Sequence, residues 1–220
     1  MTLDITDFRD IHAEEPVLLL GNGPSIDHID LSQVAVRTIG MNRSWRRHAA
    51  EYHCCFSRMP YLHEIDRGLH DPPVLFVAST GAEEVLRWMR VHLSMDRVVV
   101  IPRASSPHTP WAAFPSKGWW GSLTGVFAIR IAVWMGFNPI YLVGYDSNRD
   151  ERHFNTNDLE GPFMDSKDRP QDGRNNVKHF SRLAEILAIA KPDLEIFNLN
   201  DASSIVCWPT ADPQVILKSQ

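Results

Sequence analysis

EEPVLLLGNGPSIDHIDL, residues 14–31, reads as a buried strand that runs straight into a tight turn. Val17 to Leu20 are apolar without a break, as in a strand covered on both faces. Gly21-Asn22-Gly23-Pro24-Ser25 follows, with two glycines, an amide, a proline and a hydroxyl. In open α/β sheets ligands bind outside the carboxyl ends of the strands, and the first strand-to-helix turn is a favoured place. Glycine lets a backbone approach a ligand closely, and a helix N-terminus offers free N–H groups to an anion. Pro24 suits a first helical turn, and Ser25 can cap the helix or touch a phosphate. The motif is neither GxGxxG nor a P-loop, because no lysine follows, which argues against a P-loop ATPase. The same pentapeptide also suits a tight turn that holds no ligand.

Outward from this stretch, short apolar runs recur at Val36–Met41, Tyr52–Phe56, Val74–Ala78, Arg97–Ile101, Ile140–Val143 and Leu194–Leu199. Helical periodicity lies between them. Gly81–Leu93 and Val177–Ala190 are amphipathic, and Ser122–Met135 is apolar nearly all round, with Gly136 as its expected C-cap. Strands alternating with helices predict an α/β fold, a parallel sheet with helices on both faces. Two stretches break the pattern. Residues 102–121 hold four prolines and Trp111, Trp119 and Trp120, and residues 147–176 are polar and rich in aspartate. So long a loop predicts a lid over 147–176. No repeat or linker divides the chain, so one domain over 1–220 is expected.

The 220 residues are 44% hydrophobic, enough for a full core, and the formal charge of −5 gives no global attraction to nucleic acid or anionic lipid. Arg43, Arg46, Arg47 and His48 form a local basic cluster, either a solvated face or a contact for DNA. Cys54, Cys55 and Cys207 fit neither a disulfide framework nor a zinc site, and they agree with a reducing cytoplasm. No signal peptide is read at the acidic N-terminus. The apolar stretch Leu123–Phe137 is too short to span a bilayer and is interrupted by Arg130.

Three further groups are expected at the same sheet edge as Gly21. Gly121-Ser122-Leu123-Thr124-Gly125 opens the buried helix, where Gly125 costs about 1 kcal/mol relative to alanine unless something approaches closely. Asn42 ends one strand, and Asp146 follows another in Gly144-Tyr145-Asp146. Each alone reads as a cap or turn residue; together they suggest a crevice.

LLLGNGPSI, TIGMNRSW and GSLTGVFAIRIAVWMGFNPIYLVGYD, in this order, resemble the bacterial sialyltransferases of glycosyltransferase family 42 and the related DUF115 group, which includes 6-hydroxymethylpterin pyrophosphokinases. The resemblance covers about half the chain, residues 15–45 and 120–147 and more loosely 175–205. It implies a Rossmann-like fold and a CMP-sugar donor, with no metal or other cofactor. By position, Asn22, Gly23 and Ser25 would meet the nucleotide phosphate and ribose, and Asn42 the cytidine or its ribose. Thr124 and Gly125 would line the sugar or phosphate side, and Asp146 would support the site. Gly21, Ser122, Asn148 and Arg149 complete the expected substrate-binding set. The two tyrosines that follow the GxD strand in that family are missing, so Arg149, Arg152 or His153 would act on the leaving phosphate. The family's catalytic histidine corresponds most nearly to His179, with Gly173-Arg174-Asn175-Asn176 also aligning there.

Sugar transfer with inversion needs a base for the acceptor hydroxyl and a stabiliser for the leaving phosphate. His179 is the expected base and His153 the second candidate, although His179 also reads as a surface histidine on an amphipathic helix. The absence of any Asp-x-Asp pair agrees with transfer that needs no metal; Asp146 with Asp150 would be the pair for a Mg²⁺-dependent pyrophosphokinase. Trp119 or Trp120 would stack on an acceptor or pack the loop. The sequence therefore predicts a cytoplasmic glycosyltransferase acting on a nucleotide-sugar, most readily a CMP-sugar, and a hydroxyl acceptor. That acceptor is a glycan by default, with a modified DNA base as the alternative, and a homo-oligomer is allowed. The competing readings are the pyrophosphokinase and a non-catalytic nucleotide-binding protein.

Overall fold

The structure is a computed structural model and describes residues 3–56, 64–79, 83–102, 123–147 and 173–218. Seven strands form one sheet: β1 (Val17–Leu20), β2 (Arg37–Met41), β3 (Tyr52–Phe56), β4 (Val74–Ser79), β5 (Val98–Pro102), β6 (Ile140–Val143) and β7 (Ile196–Asn198). Their order is β5-β4-β3-β2-β1-β6-β7 and every neighbouring pair is parallel. This is the Rossmann-like α/β architecture expected from the alternating pattern. The chain steps from β1 to one edge and then returns to the other side of β1. The topological switch point therefore lies between β1 and β6, where Leu20 pairs with Val143.

Three long helices cover the sheet: α1 (Glu83–His92), α2 (Thr124–Trp134) and α3 (Gly173–Ala190). Alternate strand residues divide between the two faces. Val17, Leu19, Ile39 and Phe76 pack with Phe127 and Ile131 of α2 and Leu183 and Leu187 of α3. On the opposite face, Leu75 and Val77 meet Met89 of α1, while Leu18 and Leu20 meet Ile26, Ile29 and Ile216. The continuous apolar runs thus report burial on both sides.

Several boundaries differ from the periodicity, for physical reasons. The segment after Gly23 is not an α-helix but a 3₁₀ turn, Pro24–His28, followed by a second, Leu31–Gln33, whose Asp30 cap accepts from Ser32 N–H at 3.1 Å. Ile26 and Ile29, three apart, align on a 3₁₀ turn and cover β1 without a long helix. α3 begins at Gly173, earlier than Val177, because Gly173–Asn176 carry no apolar spacing by which the first turn could be read. Those four residues belong to a helix and not to the expected lid; 148–172, the bulk of that lid, lie outside the described residues.

α2 stops as the sequence indicates. Gly136 takes φ +89°, and the N–H groups of Gly136 and Phe137 donate to Val133 and Ala132 carbonyls at 3.2 Å each. That is a Schellman closure, which needs a residue at ease in left-handed backbone. Arg130 lies within this buried helix at 3% exposure, and burial pushes its guanidinium down to about 10.

Candidate active site

Two loops meet at the switch point. Gly21 N–H donates to Val143 O at 2.7 Å, and Gly23 N–H to Gly144 O at 2.8 Å. A Cβ on Gly21 would overlap Gly144 O, and one on Gly23 would overlap the Asp146 carboxylate. The glycines therefore admit another part of the chain. At Gly21 and Gly23 the close approach indicated by the sequence is made, on the side a Cβ would occupy, by the β6 loop.

Ser25 and Asp146, each 3% exposed, fasten this junction. Ser25 Oγ accepts from Gly144 N–H at 3.0 Å, and Ser25 N–H donates to Asp146 Oδ2 at 3.3 Å. The Asn200 amide donates to Asp146 Oδ1. Ser203 Oγ donates to the Tyr145 carbonyl at 2.7 Å, and Ser204 N–H donates to the Asp146 carbonyl at 3.0 Å. Asp146 is thus a buried latch joining three loops. Asn200 and Ser203 were not anticipated; they sit in a polar loop past the last strand, where nothing local marks them.

The adjacent corner, between β1, β2 and α2, is built differently. Asn22 and Asn42 each lie two residues past the register pair Leu20 and Gly40, so they leave neighbouring strands at the same level. Asn42 has φ +47°, a left-handed conformation that asparagine tolerates better than most residues. Its amide nitrogen donates to Thr124 Oγ1 at 3.3 Å, tying it to the first residue of α2. The side-chain oxygens of Asn22 and Asn42 are buried and accept no hydrogen bond from the described residues. The N-cap residue of α2, Leu123, makes no side-chain cap bond, and the first turn of the helix begins beside Asn42.

Gly125 follows Thr124, and its missing side chain has a packing cause. A Cβ there would lie 2.9 Å from the Tyr145 ring and 3.0 Å from the Phe180 ring. The Tyr145 hydroxyl is buried and lies 3.4 Å from both the Gly125 carbonyl and Met41 Sδ, the two acceptors within reach of its one proton. Phe180 meets Tyr145 edge to face at 5.7 Å, which sets the second turn of α3 against the start of α2. His179 is the residue before Phe180. Burial lowers its pKa from 6.5, keeping the imidazole neutral further into acid, as a base requires.

The basic cluster resolves into ion pairs. Arg43 and Arg46 converge on the buried Glu64 at 2.7 and 3.3 Å, and Trp45 Nε1 donates to the same carboxylate at 3.3 Å. Arg47 pairs with Asp27 at 2.7 Å. These guanidiniums neither form a merely solvated face nor present an unopposed surface to DNA. Ser122, Asn148, Arg149, Arg152 and His153, with Trp119 and Trp120, lie outside the described residues. Among the described residues no three histidines, cysteines or carboxylates converge as a metal site would, and Asp150 lies outside them. No helix among them is long and apolar enough to cross a membrane.

No protein-family model and no curated protein sequence matches the chain. Solved structures do. The Maf glycosyltransferase from Magnetospirillum magneticum is similar over 98% of this chain at 15% identity, with a TM-score of 0.61. This chain spans only 38% of that protein's length. The sialyltransferase CstII from Campylobacter jejuni, in a complex with the substrate analogue cytidine-5'-monophosphate, is similar over 94% of this chain and 89% of its own, at 12% identity and a TM-score of 0.57. A structure of the sialyltransferase CST-II with a trisaccharide acceptor and CMP matches the same shares at 14% identity and a TM-score of 0.52. At these identities the likeness is one of fold.

Proposed function

We propose that the chain is a sialyltransferase-like glycosyltransferase that moves a sugar from a CMP-sugar to a hydroxyl acceptor without a metal. One observation carries the reading: the buried, unfilled amide oxygens of Asn22 and Asn42 at one level on adjacent strands. A buried acceptor left without a donor costs about 1–3 kcal/mol. A ligand that brings N–H or O–H groups relieves that cost. Ribose hydroxyls and an exocyclic base amine do so, whereas an ionised phosphate does not. The phosphate is assigned to the first turn of α2, beside Thr124, where backbone N–H groups and the helix dipole favour an anion. The fold is shared with CstII, which has been solved with CMP.

In the reaction the acceptor oxygen attacks the anomeric carbon and loses its proton to His179. The bond from that carbon to the phosphate oxygen breaks, and CMP departs with the bonding pair. Arg149 and His153 are assigned to the leaving phosphate, with Ser122 and Asn148 on the substrate side; Asp146 holds the loops that frame the crevice. We place the reaction in the cytoplasm, in keeping with three free thiols, two of them fully buried. A glycan is the acceptor, since the arginines suited to DNA are engaged in ion pairs with Glu64 and Asp27.

Thermal unfolding with CMP, UDP, ADP and ATP, each with and without Mg²⁺, tests this. CMP should raise the midpoint most, equally in the presence of a chelator. Stabilisation confined to ATP with Mg²⁺ would replace the reading with a pyrophosphokinase.

A further inference from the structure

We propose that His53, on the third strand and away from the crevice edge, is a positioning residue that sets the nucleotide affinity of Asn42. The inference rests on the crevice reading above. Asn42 must hold its amide in the crevice while its own backbone is left-handed, a conformation that favours few residues other than glycine. Three contacts fix that backbone. Asn42 N–H donates to the Cys54 carbonyl at 3.1 Å, Met41 N–H donates to Ser44 Oγ at 2.8 Å, and His53 Nε2 lies 2.8 Å from the Asn42 carbonyl oxygen.

A carbonyl only accepts, so His53 Nε2 carries the proton and donates. His53 is fully buried, and burial, reinforced by the nearby His70, pushes its pKa down to about 3. The ring is therefore neutral with its single proton on Nε2, aimed at Asn42. The ring is also held in place. It lies against Gly40, where a Cβ would fall 2.7 Å from Cε1, and His70 closes on it edge to face at 4.9 Å. His70 in turn stacks on Trp45 at 5.1 Å, and Trp45 is tied to Glu64. Gly40, His53, His70 and Trp45 thus form one packed support under the Asn42 turn. The glycine in the second strand exists for this ring.

The test is CMP binding by calorimetry to wild type, His53→Leu and His53→Gln, each alone and combined with Asn42→Gly. Leucine fills the space without a donor, whereas the glutamine amide can reach the same carbonyl. His53→Leu should raise the CMP Kd about tenfold, in line with loss of one hydrogen bond and its alignment. His53→Gln should stay within about threefold of wild type. In the Asn42→Gly background His53→Leu should add nothing, because its effect passes through the Asn42 amide. An equal loss in both backgrounds, or no loss in His53→Leu, overturns the proposal. If wild type binds none of the nucleotides, the crevice reading itself has failed, and this proposal falls with it. Nitrogen chemical shifts of His53 in the wild-type protein give a check that requires no variant to fold. They should report a neutral ring protonated at Nε2 at pH 6, and a proton on Nδ1 alone overturns the assignment.

Discussion

The two corners on either side of the β1 carboxyl end use similar residues to opposite ends. Between β1 and β6, Gly21, Gly23, Ser25 and Asp146 satisfy one another and Asn200, and the junction is closed. Between β1, β2 and α2, Asn22 and Asn42 keep buried oxygens with no donor among the described residues. Both corners sit where ligands bind in open α/β sheets. Among the described residues only the second leaves hydrogen-bonding capacity unused, and the proposed ligand position rests on that contrast.

The comparison breaks first at the glycines, where the largest effect is expected. Gly21→Ala drives a methyl into the Gly144 backbone, which cannot rotate away as a side chain can. Overpacking of this kind costs about 3 kcal/mol, the upper part of the usual range. A urea midpoint should fall accordingly, and an unchanged midpoint would mean that the junction is open. Asp146→Ala comes next. It strands the Ser25 N–H and the Asn200 amide, for about 1–3 kcal/mol. If the variant lost CMP affinity while keeping its midpoint, Asp146 would belong to the ligand and not to the latch.

The open corner predicts the reverse pattern. Asn22→Ala should not lower stability, since it removes a buried oxygen that accepts nothing from the described residues, and Asn42→Gly should lower it by no more than about 1 kcal/mol, since it also gives up the bond to Thr124 Oγ1. Glycine is chosen at 42 because it accepts φ +47° without strain. Each should weaken CMP binding by up to about tenfold in a calorimetric titration. Full affinity in both variants would leave the two corners indistinguishable.

How far the sequence disclosed this depends on the range of the interaction. The unbroken runs at Val17–Leu20 and Ile140–Val143 announced strands buried on both faces, because continuous apolarity is a local consequence of that burial. The end of α2 was legible for a similar reason, since Gly136 and Phe137 close the helix onto Val133 and Ala132, all within six residues. The glycines at 21, 23 and 125 were visible as sites of close approach, but what approaches them comes from 20 to 123 residues away in the chain: Tyr145 at Gly125, Asp146 at Gly23. A ligand and a distant loop leave the same local trace. Glu64 was invisible as the partner of Arg43 and Arg46, which therefore read as a basic patch. His53 drew no notice within the run Tyr52–Phe56, because its contact is with Gly40 on the neighbouring strand.

The last expected effect concerns pH and the support beneath the open corner. His70 is half-buried and His53 fully so; burial lowers the first to about 4 and the second to about 3. Unfolded histidines titrate near 6.5, so between these values the unfolded chain binds more protons than the folded one. The contribution to stability is therefore complete above about pH 6.5 and declines as the pH falls toward the folded values. The closed corner contains no histidine, so acid should loosen the Asn42 side first. His70→Phe keeps a ring on Trp45 and removes one titration. Its stability should fall less steeply than that of wild type between pH 6.5 and 4, measured as urea midpoints at half-unit steps. Parallel curves for the two proteins would mean that His70 already exchanges its proton freely with solvent in the folded state, and that the ring column is not a sealed support.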